Sequence, residues 1–209
     1  MKKLILSLTL ISLLTASLGG AAFAQSQQEP PLETVTETVQ GSAPAQADVS
    51  QSMYPAVHAL VMAMTENQLD YDPENPEFLW TSLYYMLSLY GQMDERAEFT
   101  DDTLILPGEV IQDYAAALYP DVSSLPDIPA QISERITQAG NGTYHLARGD
   151  EGLSQVTVEP PIYLASGAVI MNGALESLED GSILREFQVT LLPRDSMFGY
   201  IITDLTFSV

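Results

Sequence analysis

The chain of 209 residues has no cysteine, only two histidines and, beyond Lys3, no lysine. Without cysteine there is no disulfide, no thiol nucleophile and no thiolate metal site, so stability has to come from an ordinary apolar core. The two histidines, His58 and His145, stand in no H-E-x-x-H pattern. The "LASGA" stretch around Ser166 lacks the first glycine of G-x-S-x-G. A serine hydrolase and a histidine zinc centre therefore have no residue set to stand on. Positive charge is scarce too: 7 Lys and Arg face 28 Asp and Glu, for a net charge of −21. Counterion release on a phosphate backbone needs a basic stripe, and this chain has none, which makes nucleic acid and anionic membrane surfaces poor partners.

What is present begins with Met1-Lys2-Lys3, a charge-free run from Leu4 to Leu18 and the small-residue stretch "GGAAFA" ending at Ala24. A positive segment, an apolar segment and an A-x-A site predict a signal peptide over residues 1–24, cut between Ala24 and Gln25. An uncleaved anchor is the other reading, because the run up to Gln28 is long enough to span a bilayer. No cysteine follows it, which excludes a lipoprotein anchor. Cleavage predicts an exported protein, periplasmic or extracellular, with no membrane insertion afterwards. It also leaves Arg96, Arg135, Arg148, Arg185 and Arg194 as the fixed cations. So large an acidic excess keeps a protein soluble and draws in cations.

Residues 25–48, "QSQQEPPLETVTETVQGSAPAQAD", lack aromatics and offer too little apolar surface to offset ordering entropy, so they read as a flexible tether. Residues 49–209 read as a single α+β domain. Met53, Val57, Leu60, Val61 and Met64 share one helical face, predicting a helix over about 52–66 with Ser52 as its cap and Pro55 in its first turn. Asn75-Pro76-Glu77 announces a second helix that runs to Tyr90 and stops at Gly91. This helix is apolar nearly all round, which predicts an interior position. A third follows Pro107, with Val110, Ile111, Tyr114, Ala117 and Leu118 inward, and "AQISERITQAG" predicts a short fourth. Beyond Asn141-Gly142 the period changes to alternation, predicting strands at 143–147, 155–159, 167–175, 183–192 and 198–209. Glu179-Asp180-Gly181-Ser182 marks a hairpin turn. The expectation is three to four helices packed on one face of an antiparallel meander of about five strands.

"FLWTSLYYMLSLYG", "LPGEVIQDYAAALYPD", "LPDIP" and "GTYHLARGDEG" together resemble a pattern in uncharacterised exported bacterial proteins: an aromatic-rich helical half followed by a β-meander. The order of elements over residues 76–209 is similar to cystatin-like and nuclear-transport-factor-2-like architectures. That resemblance implies helices lying in the curve of a sheet, and it brings no catalytic residue with it.

Four features bear on chemistry. Asp70-Tyr71-Asp72-Pro73-Glu74-Asn75-Pro76-Glu77 starts like a calcium loop but has Asn75 at the glycine position and Thr81 at the glutamate position, which favours capping of the second helix. Asp94-Glu95 with Asp101-Asp102 is a looser acidic group. Tyr71, Trp80, Tyr84, Tyr85 and Tyr90 are at core spacing, yet one or two rings reaching a groove would suffice for a sugar- or lipid-binding cleft. Arg148-Gly149-Asp150 forms a turn between two predicted neighbouring strands, where it could be displayed for adhesion. No catalytic, metal or cofactor residue is assigned, and the ligand-binding residues are left open. The expected function is an exported non-enzymatic binding or accessory domain for a small molecule, glycan or envelope protein. A carboxylate-dependent hydrolase of an extracellular polymer is the first alternative, and adhesion through residues 148–150 the second.

Overall fold

The computed structural model describes residues 48–123, 125–148 and 152–208. The predicted export signal with its cleavage point between Ala24 and Gln25, the tether up to residue 47, and Gly149, Asp150 and Glu151 all lie outside the described residues. Those described belong to one compact unit.

Helix α1 spans Val49–Asn67 and begins earlier than the apolar spacing predicts. The reason is its cap: the Asp48 carboxylate accepts from the Ser50 N–H at 3.0 Å, so Ser52 sits inside the helix and not at its start. Pro55 consequently lies in the helix interior, where its missing N–H removes one i to i−4 bond. The helix ends where Gln68 adopts a left-handed conformation, φ 55°, and returns its N–H to the Met64 carbonyl. Met53, Val57, Leu60, Val61 and Met64 are all buried.

Helix α2 spans Pro76–Tyr90, and its N-terminus follows the sequence signal: Asn75 accepts from the Glu77 N–H at 2.9 Å and Pro76 occupies the first turn. Its far end runs on into a 3-10 turn, Gly91–Met93. Phe78, Trp80, Leu83, Met86 and Leu87 are almost fully buried, as an all-round apolar helix requires.

Nine strands and helix α3 complete the described chain. β1 is Glu98–Phe99, β2 Thr103–Pro107, α3 Gly108–Ala115, β3 Ile136–Gln138 and β4 Thr143–Ala147. They are followed by β5 Ser154–Val158, β6 Ile162–Tyr163, β7 Val169–Ser177, β8 Ile183–Pro193 and β9 Tyr200–Phe207. The protein is therefore α+β with antiparallel pairing. The β half, however, is two sheets and not one meander: one in the order β1-β2-β4-β3, the other β5-β7-β8-β9 with β6 also on β7.

Three expectations change for identifiable reasons. "TLILP" pairs as β2 with β4, Leu104 opposite Leu146 and Leu106 opposite Tyr144, burying both leucines. The predicted fourth helix is a turn followed by β3, because Ile136 pairs with Leu146 and is fully buried there. Its isoleucines and threonine are stiff at χ1 and suit a sheet edge better than a short helix. With β2 on one side of β4 and β3 on the other, β4 has no free ladder left for β5. β4 and β5 thus lie in different sheets, and the predicted hairpin between residues 147 and 155 does not form.

The helices lie against both sheets. α1 packs on β5, β7, β8 and β9 and against α2, while α2 and α3 pack on β4. The inner face of the second sheet is apolar, carrying Val156, Met171, Leu175, Phe187, Val189 and Leu191. Gly173 is required in that face: a Cβ there would collide with the Thr157 carbonyl oxygen and the Phe187 ring. Along β9 the Ile202 N–H donates to the Ala117 carbonyl at 2.8 Å. The Arg194 guanidinium donates to the Tyr119 and Pro120 carbonyls, at 2.6 and 2.9 Å.

Candidate functional site

The predicted Asp70–Glu77 cluster connects α1 to α2, and its polar groups serve the turn. Asp72 accepts from the Glu74 N–H, Asn75 caps α2, and the Tyr71 hydroxyl reaches across to donate to the Ile202 carbonyl at 3.1 Å. Among the described residues no three His, Asp or Glu side chains are grouped as metal ligands. Asp94 is engaged instead by Arg96, whose guanidinium lies 2.8 Å from Asp94 and 2.8 Å from Asp113. That guanidinium, through its hydrogen bond, holds the Asp94 carboxyl below its usual range. Arg148 binds the Asp101 and Asp102 main chain. The Ser166 hydroxyl accepts from the Ala168 N–H within a turn.

The histidines fall in different settings. His58 is buried beneath the second sheet beside Tyr54 and Tyr90. We assign its neutral tautomer with Nδ1 accepting from the Tyr90 hydroxyl at 2.5 Å, which puts the proton on Nε2. Nε2 is buried and makes no well-formed hydrogen bond among the described residues. Burial lowers the His58 pKa, and the Ser154 backbone nearby offsets part of that. His145 is half-buried on the outer face of the first sheet, 3.3 Å from the Thr143 hydroxyl. It shares a shallow hollow with Arg96, Glu98 and Ile105.

Of the five aromatic candidates, three are held within the packed interior. Trp80 donates to the Pro126 carbonyl and stacks on Tyr144 at 5.9 Å, Tyr71 packs edge-on against Phe78, and Tyr90 partners His58. Tyr84 and Tyr85 differ. Tyr84, largely buried, and Tyr85, partly exposed, line a cavity of about 310 Å³ together with Met62 and Glu66 from α1, Leu89, and Arg135 from the turn before β3. Consecutive helix residues point about 100° apart, and the two rings stand nearly perpendicular, at 89°.

The polar geometry of this cavity is tight. The Tyr84 hydroxyl donates to the Ala147 carbonyl at 3.2 Å, and the Arg135 guanidinium lies over the Tyr84 ring, 5.6 Å from its centroid. The Tyr85 hydroxyl donates to Glu66 Oε2 at 2.5 Å and accepts from Asn67 Nδ2 at 3.2 Å. Burial and the bond to Glu66 raise the Tyr85 pKa, while Asn67 and Arg135 pull it back in part. At neutral pH both phenols therefore remain protonated donors. A rigid aromatic surface flanked by a guanidinium and a carboxylate is equipped to hold and orient a small polar molecule. A larger hollow, of about 470 Å³, lies elsewhere, on the outer face of the second sheet. There Gln188 donates to Asn172, and Asn172 to Glu159, in a polar ladder across three strands.

The sequence pointed to the two rings of the cavity but not to Arg135 or Glu66. Arg135 sits in the segment read as a fourth helix, and its closeness to Tyr84 follows from β3 pairing with β4. Its signal was present only as scarcity, one of five arginines in a strongly acidic chain. Compared with protein-family models, with curated proteins and with solved structures, the chain matches none.

Proposed function

We propose that the protein is an exported binding or accessory domain that holds a small ligand in the Tyr84 and Tyr85 cavity and does not transform it. The observation that carries this reading is the pairing of two adjacent aromatic residues with a cation and an anion at one concavity, Arg135 and Glu66. Export is supported by Lys2-Lys3, the apolar run and Ala22-Phe23-Ala24. No described helix is long and apolar enough to cross a membrane. The helix-then-strand order is what supports a likeness to the exported helical and β-meander proteins.

Against polymer hydrolysis by a pair of carboxylates stands the placement of the acids. Such catalysis holds one acid with a raised pKa in a sheltered site. The buried polar residues among those described are His58, Thr81 and Ser82, and the inner face of the second sheet is filled by apolar side chains. A thermal-shift panel of sugars, amino acids and lipids on the intact protein tests the proposal, with Tyr85→Phe as the control. A stabilising ligand whose effect is lost in Tyr85→Phe is the expected result. A panel without any stabilising member, alongside measurable cleavage of an extracellular polymer, would sink it.

A further inference from the structure

The five described arginines are not equivalent. Arg96 is shared between Asp94 and Asp113, Arg194 is spent on two main-chain carbonyls, Arg148 lies against the Asp101 carbonyl, and Arg185 lies over Phe207. Arg96 shares its hollow with Glu98 but is already ion-paired, whereas Arg135 lines a cavity that also holds Glu66 and makes no ion pair with Glu66 or with any other described carboxylate. Both charges act on the Tyr85 hydroxyl, which is bonded to Glu66 and approached by Arg135. Glu66 Oε2 is held by Tyr85, and the Arg135 guanidinium lies over the Tyr84 ring. Each pole keeps unused capacity: Glu66 its second oxygen, Arg135 most of its five N–H donors.

The field of the whole protein narrows what fits. A free anion approaching Arg135 meets the repulsion of a chain with net charge −21. A simple cation has more than twenty other carboxylates to choose from and no use for Arg135. A ligand with one charge of each sign meets neither objection and satisfies both poles. Beside them the Met62 and Leu89 side chains form apolar walls, and a cavity of about 310 Å³ suits a molecule of some ten heavy atoms.

We propose that this cavity binds a zwitterionic, free α-amino acid with an apolar side chain: the carboxylate on Arg135, the ammonium on Glu66 and the side chain against Met62 and Leu89. The proposal rests on the cavity being the binding site argued above.

The test is calorimetric titration of the intact protein with leucine, N-acetyl-leucine, leucinamide and glucose, repeated on Arg135→Gln and Glu66→Gln. Both substituted side chains are exposed, so each variant should melt like the wild type without ligand. Leucine should saturate. N-acetyl-leucine, lacking the ammonium, and leucinamide, lacking the carboxylate, should each bind at least ~10-fold more weakly, the usual scale for losing a charge-assisted hydrogen bond. Each variant should lose a similar factor for leucine. N-acetyl-leucine or leucinamide binding as tightly as leucine would overturn the proposal, and so would leucine affinity that ignores both substitutions. If glucose saturates through Tyr85 while leucine does not, the ligand class is wrong and the binding-site reading survives. If neither binds, and no lipid or glycan binds either, both fail.

Discussion

The two sheets are built from the same chain by opposite rules. In the second sheet β7, β8 and β9 follow one another and pair as neighbours, through strands of 9, 11 and 8 residues. In the first, β2 pairs with β4 across an intervening helix and a long proline-marked connection, and no strand exceeds 5 residues. The long sheet is held by its own ladder and its apolar face. The short sheet depends on what the helices press against it, such as Trp80 of α2 stacked on Tyr144 of β4. Local pairing closes short loops at small entropic cost, whereas the β2 to β4 pairing has to be repaid by burial.

If the sheets nonetheless share one core, damage to either should be felt by both. Phe187→Ala in the long sheet and Trp80→Ala above the short one should each cost about 3–5 kcal/mol, because both side chains are almost completely buried. Denaturant unfolding followed by tryptophan fluorescence (for Phe187→Ala) and by circular dichroism (for both) should show one cooperative transition at a lower midpoint. Two separate transitions, with the long sheet surviving Trp80→Ala, would divide the molecule into independent halves.

A glycine pair sharpens the contrast. Gly173→Ala puts a methyl against the Thr157 carbonyl and the Phe187 ring, and overpacking of this kind costs about 1–3 kcal/mol. Gly140→Ala, in the turn leading into β4 of the short sheet, meets nothing within 4 Å. It should be neutral or stabilising by up to about 1 kcal/mol, through the unfolded chain. Thermal melts of the two variants should move in different directions, and equal losses would mean that the turn is as constrained as the sheet.

The smallest expected effect comes from one imidazole under the long sheet. Burial depresses the His58 pKa below its ordinary 6.5, so the unfolded chain binds the proton first as pH falls. Stability should therefore be intact above about pH 6.5 and decline below it, before the carboxylates titrate. His58→Gln should flatten the profile between pH 7 and 5 while leaving any steeper loss at lower pH. A profile already flat in the wild type would mean that the ring is protonated in place.

How far the sequence reaches follows the same division. Asn75-Pro76 named the start of α2 and Glu179-Asp180-Gly181-Ser182 the β7 to β8 turn, because both are written in adjacent residues. β2 and β3 were illegible for the converse reason. "TLILP" is too short to show a period, and Ile136 becomes a strand residue only once Leu146 lies opposite it. The candidate cavity inherits that limit. Tyr84 and Tyr85 were visible as rings on a helix, whereas Arg135 reaches them only through a partner strand ten residues away in sequence.

The contact between the Ile202 N–H and the Ala117 carbonyl has a bearing on solubility as a folding problem. β9 is the terminal strand of the long sheet, and its outer row of backbone groups is an open template for a second molecule. The segment after α3 occupies that row at Ile202, and Arg194 ties the same segment down at Tyr119 and Pro120. These few bonds act as a guard on the edge, of the kind that natural sheets use to prevent strand-to-strand growth. A molecule in which that segment has lifted off keeps its long sheet and loses its guard, so filament or amorphous growth should begin from a nearly native chain rather than an unfolded one.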